Sequence, residues 1–94
     1  PIARTHPVTG ETALYVNRAF TTRIKGLKPA ESAAVLGFLY DHLESVDFQV
    51  RFSWEAGSVA MWDNRVTQHY AVWDYHPQVR HGHRVSVVGE RPFR

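Results

Sequence analysis

Cysteine is absent from these 94 residues. That excludes disulfides and every thiolate-based metal site, and it suits a reducing compartment, so a cytoplasmic protein is the expectation. Long apolar runs are absent too. Nothing approaches the ~18 residues of a membrane-crossing helix, and no signal-peptide pattern opens the chain. Neither sign of charge is in excess: eleven Lys and Arg against nine Asp and Glu leave a formal +2. The basic residues are scattered from Arg4 to Arg94, and no basic stripe accompanies the aromatics. Nucleic acid and membrane are therefore not expected partners, despite a pI near 9.3. Methionine occurs once, at Met61. Pro1 is thus no unprocessed translation start, and the chain is expected to be a piece of something longer. Also missing are G-x-G-x-x-G, a P-loop, H-E-x-x-H, a Cys/His zinc pattern and a defensible Ser/His/Asp constellation.

What is present suits one small folded unit: 44% hydrophobic and 13% aromatic residues, without repeats or low-complexity tracts. Thr9-Gly10-Glu11 reads as a turn leading into a short strand, Ala13-Leu14-Tyr15-Val16. Residues 18–27 read as an irregular loop carrying Phe20. Pro29 suits a helix start and Glu31 its first turn. Val35, Leu36, Leu39, Leu43 and Val46 then recur at helical spacing, predicting a helix over 30–46 that packs through Val35, Leu39 and Leu43. Ser32, Asp41 and Glu44 fall toward its wetter side. Beyond the helix, Phe48, Val50, Phe52 and Trp54 alternate with polar residues up to a turn at Glu55-Ala56-Gly57-Ser58. Further strands are predicted at 59–64, 67–72 and 84–89, with 74–82 as a loop. One helix before several antiparallel strands is α+β, a piece of a β-sandwich or jelly roll.

Chemistry concentrates in Trp62-Asp63-Asn64-Arg65-Val66-Thr67-Gln68-His69, followed by Arg80 and Arg84. A neutral imidazole ligates divalent first-row metals, and a guanidinium grips carboxylate or sulfonate through two parallel hydrogen bonds. Extended backbone would put Arg80 and Arg84 on one face, about 13 Å apart. Plainer readings stand beside this. A lone histidine on a strand is more often packed than a ligand, and arginines at a strand start commonly pair with local carboxylates, here Asp74 or Glu90. Trp54 and Trp62 suit a core, and Asp63 with Asn64 suits a turn. His42 and Glu44 diverge by about 200° on a helix and cannot chelate together. His81 and His83 flank Gly82, facing away from the arginines, and His6 has no partner nearby in sequence.

The blocks Thr5-His6-Pro7-Val8-Thr9-Gly10, Leu14-Tyr15-Val16-Asn17, Phe20-Thr21-Thr22-Arg23-Ile24, Trp62 to His69, and Asp74-Tyr75 through Arg80 and Arg84 to Gly89 resemble the taurine dioxygenase family. These are iron(II)- and 2-oxoglutarate-dependent oxygenases built on a double-stranded β-helix. The resemblance spans nearly all of residues 1–94 and only about the C-terminal third of a family member. It implies that 1–94 is the C-terminal fragment of a single dioxygenase domain, with one helix packed on part of the jelly roll.

Position by position, His69 resembles the second histidine of the facial iron triad. Arg80 resembles the arginine that binds the distal carboxylate of 2-oxoglutarate, and Arg84 the one that meets the anionic head of the substrate. Phe20 resembles an aromatic lining the substrate pocket. None of the four is a catalytic acid or base; they bind and position. The family's His-x-Asp pair has no counterpart in these residues, so the 94 residues alone are expected to be inactive. The complete protein is expected to use Fe(II) and 2-oxoglutarate on a small anionic sulfonate such as taurine, and to be a homo-oligomer. A dioxygenase for alkyl sulfates or other anions, or a non-catalytic remnant of the fold, are the alternatives.

Overall fold

The computed structural model describes residues 1–94. Two strands, β1 (Ala3–Thr5) and β2 (Thr12–Leu14), form an antiparallel hairpin in which Arg4 faces Ala13. The predicted turn closes it: the Gly10 amide donates to the His6 carbonyl at 2.9 Å and the His6 amide to that of Glu11 at 2.8 Å. Gly10 takes φ +74°, which any side chain would disfavour. The C-terminal segment runs back along this hairpin, the Thr5 amide donating to the Phe93 carbonyl at 2.9 Å. Arg4, buried, secures it with a 2.9 Å ion pair to Glu90 and lies 4.7 Å over the Tyr15 ring.

Helix α1 spans Pro29–Leu43. Pro29 occupies its first turn, and the Glu31 carboxylate accepts the Lys28 amide at 2.9 Å, so the predicted start signals act as expected. Val46 lies past the helix end, in a 3-10 turn at Val46–Phe48. The buried face differs from the predicted one. Leu36 is buried, Leu39 and Leu43 are half-buried, and Val35 is exposed. Ser32, Leu36 and Leu43, four and seven residues apart, share a line on the helix, whereas Val35 is rotated by about 100° from Leu36. Ser32 is therefore inside rather than on the wet side. Its hydroxyl satisfies the Ile24 amide at 2.8 Å.

The loop over 18–27 is irregular, as expected, and is clasped to α1. Besides Ser32, the Tyr40 hydroxyl donates to the Thr21 carbonyl at 2.8 Å, and Arg18 lies 4.9 Å over the Tyr40 ring while pairing with Glu44 at 2.9 Å and Asp41 at 3.1 Å. That pairing lowers the Glu44 pKa and raises that of Arg18. All three partners are exposed, so the pairs add little to stability.

The second half departs from expectation. The predicted turn at Glu55–Ser58 forms, with Gly57 at φ +83°. The four strands predicted at 48–54, 59–64, 67–72 and 84–89 do not form, and the only sheet is β1–β2. Alternation marks which side chains could face an apolar layer, but a strand is stabilised only by a hydrogen-bonded neighbour, and these segments have none. Val50, Trp54, Trp73, Val85 and Val87 are exposed accordingly, and Trp54 is no core residue. Val16 and Leu36 are the buried hydrophobic residues. The radius of gyration, 16.1 Å, exceeds the about 12 Å of a compact domain of this length. No helix is long and apolar enough to cross a membrane.

Candidate functional site

The Trp62–His69 segment is a turn built around one carboxylate. The Asp63 carbonyl accepts the amides of Val66 at 3.2 Å and Thr67 at 2.9 Å. Its side chain accepts the Arg65 amide at 2.9 Å, a short Asx turn, and the Arg65 guanidinium at 2.6 and 2.8 Å. Sequence alone allowed this turn-forming role for Asp63. What it missed is the fourth partner.

His6 Nε2 lies 3.1 Å from Asp63 Oδ2. The other ring nitrogen, Nδ1, faces two backbone donors, the amides of Thr9 at 3.1 Å and Val8 at 3.3 Å. A nitrogen that accepts from two amides carries no proton, so Nε2 bears the hydrogen and donates to Asp63. His6 is buried and fully employed. No partner lies nearby in sequence, as expected, but the fold supplies one from 57 positions along the chain. The Arg65 guanidinium, then the Arg65 amide, then His6 hold the Asp63 carboxyl well below the ordinary carboxylate range.

A second tie lies at the other end of the turn. Gln68 donates through Nε2 to the carbonyl of buried Val16, while its Oε1 accepts from Asn17 Nδ2 at 3.2 Å. Asn17 also shapes the turn that presents Phe20. Its carbonyl accepts the Thr21 amide at 2.8 Å and its side chain accepts the Ala19 amide, also at 2.8 Å. Phe20 itself is 84% exposed. The structure thus joins the Phe20 turn to the His69 segment through one pair, Asn17–Gln68.

His69 follows directly. It is exposed, with its ring 5.0 Å from that of half-buried Trp62, whose indole N–H is held by Asn64 at 2.9 Å. The histidine-ring hydrogen bonds of this chain all belong to His6, which leaves both His69 nitrogens available. Arg80 and Arg84 are also exposed and enter none of the ion pairs. Arg80 lies 5.5 Å over the Tyr75 ring. Glu90, a suggested partner for them, is taken by Arg4. No hydrogen bond or ion pair joins either arginine to the Asp63 turn, and the extended ladder that would align them is missing.

A divalent metal needs several such donors, and no group of three or more His, Asp or Glu side chains converges here. These residues fit one ligand of an iron site, His69, and do not fit a whole one. Two signals for the missed residues were on view in sequence, the Asp-x-Arg of an Asx turn and a histidine just before Pro-x-x-Gly. Neither says that the two meet.

Comparison with known proteins bears on the same blocks. The taurine catabolism dioxygenase TauD, TfdA family matches residues 1–86. An alpha-ketoglutarate-dependent sulfate ester dioxygenase of Pseudomonas putida is 48% identical over 92 residues, 98% of this chain and 30% of the relative. An alpha-ketoglutarate-dependent sulfonate dioxygenase of Saccharomyces cerevisiae is 48% identical over 94 residues, again 98% of this chain, but 23% of the relative. An alkylsulfatase of Acinetobacter baylyi is 37% identical over 90 residues, 28% of its own length. The chain therefore spans roughly a quarter of the length of the curated relatives it matches. Its matched stretch takes in the hairpin, α1, the Asp63 turn and both free arginines, and on that ground the chain belongs to the TauD, TfdA dioxygenase family.

Proposed function

We propose that the complete protein is an iron(II)- and 2-oxoglutarate-dependent dioxygenase of small organosulfur anions, with sulfonates such as taurine first and alkyl sulfates second. The observation that carries this reading is the family match over residues 1–86, within which His69 directly follows the tied turn and has both ring nitrogens free. The relatives' names, which include both sulfonate and sulfate ester dioxygenases, support the substrate class. In this reading His69 is one iron ligand, and two more come from outside these 94 residues. The chemistry that bound iron and 2-oxoglutarate supply is oxidation of a C–H bond beside the anionic group.

The chain's own residues bind and orient. Arg80, stacked on Tyr75 and without a carboxylate partner, takes the distal carboxylate of 2-oxoglutarate. Arg84 takes the sulfonate or sulfate, and the exposed ring of Phe20 covers the organic part of the substrate. Charge-assisted hydrogen bonds of this kind contribute about 1.5–3 kcal/mol each, so losing one weakens its anion about ten- to a hundredfold. In the full-length enzyme, Arg80→Ala should raise the 2-oxoglutarate requirement by that factor, and Arg84→Ala the Michaelis constant for the organosulfur substrate. Arg84→Ala should also form succinate in excess of sulfite. Damage confined to 2-oxoglutarate in the Arg84 variant would refute the assignment. Release of sulfite from taurine against release of sulfate from an alkyl sulfate, under one set of conditions, decides between the two substrate classes.

A further inference from the structure

His6 and Gln68 lie outside every role assigned so far, yet they hold the two ends of one turn. Asp63 opens it and is tied to β1–β2 through His6; Gln68 closes it and is tied to the buried Val16 carbonyl. Between them the Asp63 carbonyl gathers the Val66 and Thr67 amides, so the turn is internally braced. A segment fixed at both ends and braced within has little freedom left, and the next residue along is His69.

We infer that residues 63–68 are a two-point mount and that His6 and Gln68 are positioning residues for His69. The inference rests on the reading of His69 as a metal ligand. A group hydrogen-bonded directly to a metal ligand is worth about ten- to a hundredfold in metal affinity, and a mount acting through the backbone one step further back belongs at the lower end, about tenfold.

The two nitrogens of His6 do different work, which makes the inference testable. Nδ1 caps its own turn by accepting the Val8 and Thr9 amides, whereas Nε2 reaches across to Asp63. His6→Asn keeps an acceptor near Nδ1 and loses that reach. His6→Gln keeps a donor near Nε2 and loses the local acceptor. A histidine that merely shapes its own turn would be rescued by asparagine. One that positions the Asp63 turn would be rescued by glutamine.

The measurement is iron(II) affinity of the full-length protein by titration calorimetry, with thermal unfolding alongside. His6→Asn should bind iron about tenfold more weakly, and His6→Gln should stay within about twofold of the parent. Gln68→Ala, which frees the far end of the turn and leaves the His6 turn intact, should weaken iron binding to a similar degree as His6→Asn. It carries the test if the asparagine variant does not fold. Parental affinity in Gln68→Ala, or asparagine binding iron better than glutamine, overturns the inference. His69→Ala separates the two levels. If it still binds iron as the parent does, the ligand reading itself fails and the mount falls with it. If it loses iron while His6→Asn and Gln68→Ala keep it, the mount alone is wrong.

Discussion

Residues 1–48 and residues 49–89 have similar apolar content but use it differently. The first stretch holds the hairpin, α1 and every buried residue. The second holds a turn at Glu55–Ser58, the Asp63 turn and a series of exposed valines and aromatics. A helix satisfies its own backbone, and a tight hairpin satisfies itself across one turn, so both can form from local signals. A strand must find its partner elsewhere, and in 49–89 none is supplied. The exception inside the second stretch is instructive. The Asp63 turn is ordered because two polar side chains, rather than an apolar face, tie it to the first stretch.

The sharpest way to break this comparison is at His69. On the proposed function, His69→Ala in the complete protein should abolish iron binding and turnover while leaving the metal-free unfolding midpoint near that of the metal-free parent, because the exposed ring packs on little besides Trp62. Undiminished iron stoichiometry would place His69 with the ordinary surface residues. Next in size, Leu36→Ala should cost about 2–5 kcal/mol, since Leu36 is 4% exposed and α1 has few other buried contacts. Denaturant unfolding checks this, and a smaller loss there than in Leu39→Ala would return the buried face of α1 to the predicted one.

A smaller effect is expected in acid. The Asp63 pKa is lowered in the folded chain, so its contribution is present above the ordinary carboxylate range and is lost as pH falls through and below about 4. Melting of the parent and of Asp63→Asn from neutral pH downward should show curves that converge as the medium acidifies. A gap that stays constant with pH would mean that the Arg65 and His6 hydrogen bonds do not favour the charged form. Smallest of all, Val87→Ala in this 94-residue chain should change stability by no more than about 0.5 kcal/mol, given its 97% exposure. A substantial loss would reveal a packed strand at 84–89 and erase the contrast between the two stretches.

The sequence by itself determined the elements whose stabilising groups are close neighbours. Pro29 and Glu31 start α1, Thr9-Gly10 turns the hairpin, and Gly57 turns the segment after Trp54. It also determined membership of the dioxygenase family, through contiguous blocks that need no geometry to be matched. It nominated His69, Arg80, Arg84 and Phe20, each legible as a side chain able to do one kind of binding. Only the tertiary structure decided that Leu36 and Ser32, rather than Val35, face inward, because the loop at 21–24 covers that line of the helix. Only it decided that His6 is engaged and His69 is free. The partners of His6 and Gln68 lie 57 and 52 positions away in the chain. Hydrogen bonds across such separations depend on where the backbone goes, which no local propensity encodes.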